Sequence, residues 1–150
     1  MLSDKQAIAY FCELMNQTAK EIGMTDSRFE TPDGWDNKNQ YTTTADLLTL
    51  TKYAIKNPSI KKIISIKETK VTFAAGGSIT WKNHIKLIDP KSPYYCKDFV
   101  GGKTGTTDSA GYCLISVFEK NGKKYIIIVT GCKDDNSRCA ATLDLYGRIK

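Results

Sequence analysis

Residues 101–107 read Gly-Gly-Lys-Thr-Gly-Thr-Thr, and the fold can be worked out from this stretch. Small residues on both sides of Lys103 and Thr104 predict an open strand edge that presents an ammonium group and a hydroxyl. Both groups suit a terminal carboxylate. A side chain at position 102 or 105 is expected to hold a ligand away from the strand. The pattern predicts an edge that takes an extended peptide by backbone pairing.

The sequence after this strand predicts a β-hairpin. Residues 112–119 and 124–132 flank Asn121-Gly122, a pair that tolerates positive φ at both central positions of a tight turn. The unbroken apolar run 125–129 is expected at the buried centre of the sheet. A second hairpin is predicted around Gly76-Gly77, and a closing helix over 135–146.

Helices are predicted before the strands. A capping box at residues 3–6 starts a helix that ends at Gly23, with an apolar face formed by Ile8, Phe11, Cys12, Met15, Ala19 and Ile22. Turn-forming residues over 29–41 predict a packed loop. A second helix starts near Thr43 and stops at Pro58, and Ser59 is expected to cap a short third helix.

This order of elements predicts the fold class. Helices first, hairpins next and a helix last are typical of an α+β domain, an antiparallel sheet flanked by helices. The chain has 150 residues, of which 41% are apolar, enough for a single domain over 1–150 with its own core.

Composition argues against several kinds of partner. The net charge is +6, but the basic residues are interspersed with acidic ones, which favours a solvated surface over a nucleic-acid partner. No apolar run is long enough for a membrane segment, and the first residues lack a signal-peptide pattern. Five cysteines without a Cys-x-x-Cys pair, and the single histidine His84, predict no metal site and no cofactor. The cysteines are interpreted as small core residues, with one disulfide left open.

Five segments resemble one protein family in the same order along the chain. Lys-Thr-Gly is a signature of penicillin-binding proteins and class A β-lactamases. The sequence resembles the low-molecular-weight penicillin-binding proteins of the bacterial serine-type D-alanyl-D-alanine carboxypeptidase family, peptidase S11, in residues 14–24, 29–34, 41–47, 101–107 and 110–114. The resemblance covers nearly the whole chain and implies part of a β-lactamase/transpeptidase-like fold.

The resemblance implies a serine acyl-transfer enzyme that removes the terminal D-Ala from peptidoglycan stem peptides and is acylated by β-lactams. Lys103 would support catalysis, and the backbone N–H of Thr106 would be one of two oxyanion-hole donors. Arg138 falls where some members bind the terminal carboxylate, although a solvated residue of the last helix is the alternative. The implied substrate-binding residues are Gly102, Lys103, Thr104, Gly105, Thr106 and Arg138.

The sequence also departs from the family pattern. The family's Ser-x-x-Lys and Ser-x-Asn elements, which precede the first helix, are not found. Ser59-Ile60-Lys61-Lys62 fits the first element formally, but it follows Pro58 and is interpreted as a helix cap with solvated lysines. Asp33 stands where the family has a histidine. We therefore expect the C-terminal portion of the catalytic domain, without its nucleophile and inactive by itself.

Two other functions remain open at this point. One is a noncatalytic module that binds peptidoglycan peptides; the other is a fragment of a β-lactamase-like enzyme, although the deacylating glutamate motif of class A enzymes is not visible. The parent protein is expected outside the cytoplasm, where peptidoglycan lies. Self-association through a surface left by the missing segment is a further expectation.

Overall fold

Helices precede strands along the chain, as predicted. The structure is a computed structural model that describes residues 2–150. Its elements are α1 (Asp4–Glu21), α2 (Thr44–Ala54), α3 (Pro58–Ile64), β1 (Glu68–Thr72), β2 (Ser78–Lys82), a 3-10 turn (Lys86–Ile88), β3 (Phe99–Thr107), β4 (Gly111–Lys120), β5 (Lys123–Cys132) and α4 (Asp135–Gly147). β1 pairs with β2, and an antiparallel sheet has the order β3-β4-β5. The predicted α+β class is confirmed.

Side-chain caps define where the helices begin. Ser3 forms the predicted capping box of α1, and the Thr43 side chain accepts from the backbone N–H of Asp46 at the start of α2. The prediction that Ser59 caps α3 is wrong. Pro58 occupies the first helical turn, so the residue before it, Asn57, is the cap and accepts from the next two free backbone N–H groups.

The core lies between α4 and one face of the three-stranded sheet. Leu114 and Phe118 of β4 are buried there against Cys139 of α4. The Phe118 ring stacks on Tyr146 with centroids 4.5 Å apart and meets Phe99 edge-on at 5.6 Å. This aromatic cluster fixes the start of β3 and the end of α4 relative to the sheet.

The prediction that residues 125–129 lie at the centre of the sheet is wrong. Within residues 2–150, β4 is central and β5 is an edge strand. Ile127 and Val129 are buried on the α4 side, whereas Ile126 and Ile128 are half-buried, and α2 contacts the same strand. The apolar run therefore reflects contacts on both faces of β5 and not its place in the strand order.

The apolar face of α1 is only partly covered. Cys12 and Ala19 are buried, but the side chains of Ile8 and Phe11 are about half exposed. The helix is attached to the predicted loop by Asn16, whose side chain donates to the carbonyl of Phe29 and accepts from its N–H, both at 2.8 Å. The five cysteines are free, and none of the described helices is long and apolar enough to cross a membrane.

Candidate functional site

The strand β3, which carries the Lys-Thr-Gly motif, has one open side. It pairs with β4 and, in the part of the chain that the structure describes, with no other strand. Alternate N–H and C=O groups of such an edge strand are available to a ligand. The predicted strand edge is therefore present, and its pairing with an extended peptide stays a prediction.

The structural reason for glycine differs between positions of the motif. A Cβ at Gly102 would lie 2.3 Å from the carbonyl oxygen of Ile115, and one at Gly101 would lie 2.6 Å from that of Ile64. Glycine at 102 is thus required by the neighbouring strand itself. A Cβ at Gly105 would meet no neighbouring atom within 4 Å, so the Lys103 face of β3 is open at this position.

Lys103 and Thr104 lie on opposite faces of β3. Lys103 pairs with Ile115, whereas Thr104 pairs with the core residue Leu114 and shares its face of the sheet. Lys103 is exposed, makes no ion pair within residues 2–150, and donates from Nζ to the carbonyl of Thr104. A ligand along the open edge would lie between the two side chains.

Arg138 is buried beneath the same strand. Only 7% of the residue is exposed, so the alternative of a solvated helix residue is wrong. Its Nη1 donates to the Thr106 hydroxyl and to the Cys113 carbonyl, both at 3.2 Å, and lies 3.4 Å from the Gly105 carbonyl. The guanidinium also lies 5.3 Å from the Tyr112 ring centroid. α4 thus places a cation directly against the last residues of β3.

Asp135 holds this arginine in place. Its carboxylate accepts from Arg138 Nε at 2.8 Å and from Lys86 Nζ at 2.7 Å. Partial burial by itself would raise the pKa of Asp135, but the hydrogen bonds from Lys86 and Arg138 outweigh it and lower that pKa. The hydrogen bond to Asp135 in turn raises the pKa of Lys86. The three groups form a charged chain from the 3-10 turn to β3.

Asp36 connects the long loop to the turn that follows β3. The backbone N–H of Ser109 donates to its Oδ2 at 3.1 Å. A hydrogen bond from the Thr107 side chain and this backbone bond lower the pKa of Asp36 below its usual value. Asp33, three residues earlier, instead accepts from the N–H of Trp35 within its own turn.

A cleft of about 670 Å³ lies beside this contact. It separates the loop from the β3–β4 turn and is lined by Asp33, Asp36, Thr107, Ser109 and Gly131, among others. Lys103, Thr104 and Arg138 are not part of its lining. The structure therefore brings Thr106 and Arg138 together, and places Lys103 on the open edge outside the cleft.

Comparison with known proteins gives the family. The sequence model of the D-alanyl-D-alanine carboxypeptidase family matches residues 7–134. This chain belongs to that family. The part of this chain that matches the family's sequence model includes Lys103 to Thr106 and ends four residues before Arg138.

Individual relatives are longer than this carboxypeptidase-family chain. It is 33% identical over 128 residues to the D-alanyl-D-alanine carboxypeptidase DacC of Escherichia coli, covering 85% of this chain and 30% of DacC. It is 31% identical over 121 residues to the D-alanyl-D-alanine carboxypeptidase of a Streptomyces species, covering 77% of this chain and 40% of that protein. The chain thus spans less than half of either relative.

Solved structures of the family share the fold. The Streptomyces DD-transpeptidase superposes with a TM-score of 0.83 at 25% identity, over 98% of this chain and 57% of that one. The cefotaxime-bound penicillin-binding protein D2 of Listeria monocytogenes gives a TM-score of 0.77 at 30% identity, over 96% and 56%.

Sequence reasoning missed Asp36, Asp135 and Lys86 in this family member. Asp36 lies 73 residues from Ser109, and no local pattern couples such positions. The sequence analysis gave Lys86 and Asp135 no role at this site. The signal that was available is that Asp135 is three residues before Arg138 on one helix, where side chains meet.

Proposed function

We propose that the chain forms the strand side of the substrate groove in a serine-type D-Ala-D-Ala carboxypeptidase. The enzyme removes the terminal D-Ala of peptidoglycan stem peptides through an acyl-enzyme that β-lactams also form. The observation that carries the proposal is the open edge of β3, with Lys103 exposed on it and Arg138 buried behind Thr106. Since peptidoglycan lies outside the cytoplasm, so does the site of action.

Each motif residue has a distinct part in this proposal. The peptide pairs with the edge beside Gly105, and the N–H of Thr106 stabilises the oxyanion. Such a donor accounts for roughly 3 kcal/mol in serine hydrolases. The exposed ammonium of Lys103 assists proton transfer and stabilises the negative charge of the substrate. The Thr104 hydroxyl contacts the terminal carboxylate, and Gly102 lets β3 pack closely against the Ile115 carbonyl of β4.

Arg138 contributes through Thr106. Because its Nη1 donates to the Thr106 oxygen at 3.2 Å, the hydroxyl proton of Thr106 remains free for a carboxylate oxygen. The positive charge behind this hydroxyl strengthens it as a donor. Arg138 thereby binds the terminal carboxylate electrostatically while its nitrogens stay bonded to the protein.

Catalysis requires a serine nucleophile, and Ser59-Ile60-Lys61-Lys62 is the one Ser-x-x-Lys match in the sequence. Ser59 lies exposed at the start of α3, where its N–H donates to Asn57, and it does not line the cleft described above. We propose that the nucleophile and its lysine lie on other polypeptide of the same domain. The chain alone then binds peptides without turnover, the behaviour also expected of a noncatalytic binding module.

The experiment is a titration of the isotopically labelled chain with diacetyl-L-Lys-D-Ala-D-Ala, followed by amide chemical shifts. We expect shifts at residues 102–106 with the D,D peptide and none with its L,L isomer. Lys103→Ala should weaken binding at least about tenfold, because a charge-assisted contact is lost. The matched control is Lys124→Ala, another exposed strand lysine, which should bind as the wild type does.

Three results would contradict the proposal. Equal responses to both stereoisomers, or equal losses in the two lysine variants, would remove the D-Ala-D-Ala assignment. Covalent labelling of the chain by a fluorescent penicillin would show that a nucleophile is present after all.

Self-association is a second proposed property of the isolated chain. The half-exposed apolar side chains of α1, Ile8 and Phe11, support it. Sedimentation velocity is expected to show concentration-dependent dimers that an Ile8→Ser, Phe11→Ser variant does not form. A monomer at all concentrations would refute this property without affecting peptide binding.

A further inference from the structure

One continuous segment carries all of the net charge. Residues 56–86 contain seven lysines and one acidic residue, Glu68, a net charge of +6 that equals the value for the whole chain. The rest of the chain has the other fifteen basic residues and fifteen acidic residues. The interspersed charges noted in the sequence are therefore balanced everywhere except here.

The β1–β2 hairpin of this segment stands clear of the body of the protein. Every residue from 67 to 82 is exposed. At the base of the hairpin, Asn83 donates from its backbone N–H to the Lys67 carbonyl at 2.8 Å and from its side chain to the Ile66 carbonyl at 3.1 Å. A two-stranded hairpin by itself is only marginally stable in water. A surface that covers the hairpin would therefore stabilise it.

The outer part of the hairpin is uncharged. Residues 71–81 read Val-Thr-Phe-Ala-Ala-Gly-Gly-Ser-Ile-Thr-Trp, and lysines bound this stretch at 70 and 82. Val71 pairs with Ile79, and Thr69 with Trp81, so the apolar side chains share one face. Phe73 is 53% and Trp81 59% exposed. An apolar tip is therefore surrounded at its base by cations.

The turn satisfies its own backbone. The N–H of Phe73 donates to Gly77, and that of Gly76 to Phe73, at 3.1 and 3.0 Å. Gly76 and Gly77 have φ of 90° and 84°, which glycine adopts without strain. These two N–H groups therefore need no water partner when the tip enters the headgroup region.

We propose that the β1–β2 hairpin inserts tip-first into the surface of an anionic lipid bilayer. At about 3.3 Å per residue, the tip reaches roughly 13 Å beyond Val71, enough to cross the headgroup region into the acyl boundary. Trp81 then lies at the interface, the depth that tryptophan prefers. The lysines at the base lie at headgroup level, where anionic lipids attract them.

The charges at the base are free to act on lipid. Within the described residues Lys70 makes no ion pair, and Lys82 is 3.6 Å from Glu68 with both side chains more than half exposed. Such an exposed pair is weak and readily rearranged. Val71 and Ile79 also favour lipid over a single-stranded nucleic acid, because aliphatic side chains offer bases no stacking surface.

The test is flotation of the chain with vesicles of equimolar phosphatidylglycerol and phosphatidylcholine, compared with pure phosphatidylcholine. A Trp35→Phe variant leaves Trp81 as the only tryptophan, whose emission should shift to the blue and be quenched by brominated acyl chains. We expect binding to anionic vesicles alone. Lys70→Ser, Lys82→Ser should weaken it at least about tenfold, since each lysine contributes about fivefold. The matched control, Lys91→Ser, Lys97→Ser, removes the same charge from exposed positions in the loop before β3.

Insertion is tested separately by Phe73→Ser, which should abolish brominated-lipid quenching while the circular dichroism of the exposed variant stays native. Three results would overturn the proposal. They are no binding to anionic vesicles, equal losses in the two double-lysine variants, and burial of Trp81 in a dimer at the same protein concentration without lipid. Peptide binding at β3 is independent of all three.

Discussion

Replacing Arg138 by methionine tests whether this arginine joins α4 to the motif strand. The Arg138→Met change keeps an apolar stem of similar length and removes the contacts to Asp135, Thr106 and Cys113. Loss of one partner of a buried charge pair costs about 3 to 5 kcal/mol. In this variant Asp135 keeps its ion pair with Lys86 and is partly exposed. We therefore expect a loss of unfolding free energy at the lower end of this range, about 3 kcal/mol.

The assay is urea unfolding followed by circular dichroism. Thermal unfolding gives a second readout: for a chain of this size, a loss of about 3 kcal/mol corresponds to a Tm that is roughly 6 to 12 °C lower. Arg148→Met is the matched control, because Arg148 caps the C-terminal end of the same helix and pairs with Asp144 while 70% of its side chain is exposed. That variant should change the free energy of unfolding by about 0.5 kcal/mol or less.

A small effect would refute the reasoning. If Arg138→Met lowers the free energy of unfolding by less than about 1 kcal/mol, or by no more than Arg148→Met, the buried contacts do not hold α4 to β3. The proposed route from Arg138 through Thr106 to the ligand would then lose its structural basis.

Two further predictions concern the same strand and its turn. Gly102→Ala should destabilise the protein by about 3 kcal/mol in urea unfolding because the new methyl group would meet the Ile115 carbonyl, whereas Gly105→Ala should stay within about 1 kcal/mol; equal effects would contradict this. The folded pKa of Asp36 is lowered, so its stabilising contact with Ser109 is fully present above about pH 4 and is lost as the pH falls through the folded pKa. Asp36→Asn should remove the acid transition of the Ser109 amide signal in NMR, and a transition that persists would assign it to another group.

Local patterns in the sequence were sufficient to predict most of the helices and strands. The hairpin at Asn121-Gly122 forms as predicted, with φ of 53° and 72° at the two positions. The capping box at Ser3 also forms, because both cases depend on residues adjacent in the chain. The strand that carries the motif was predicted for the same reason, and its place at the edge of the sheet was predicted from the glycines around Lys103.

Long-range features could not be predicted in this way. The contact of Asp36 with the β3–β4 turn joins segments that are far apart in sequence and leaves no periodic signal. The order of strands in a sheet is likewise not encoded by an apolar run, which reports burial but not neighbours. This is why β5 was expected at the centre, and why the charged chain from Lys86 to Arg138 was found only in the structure.

The edge position of β5 has a consequence for handling the protein. Residues 125–129 combine β-branched and aromatic side chains without charge or proline, the composition of segments that seed cross-β fibrils. Lys123, Lys124 and Lys133 flank the segment and act as gatekeepers through mutual repulsion between molecules. Because salt screens that repulsion, preparations at low ionic strength should stay clear longest, and turbidity should rise on adding sodium chloride.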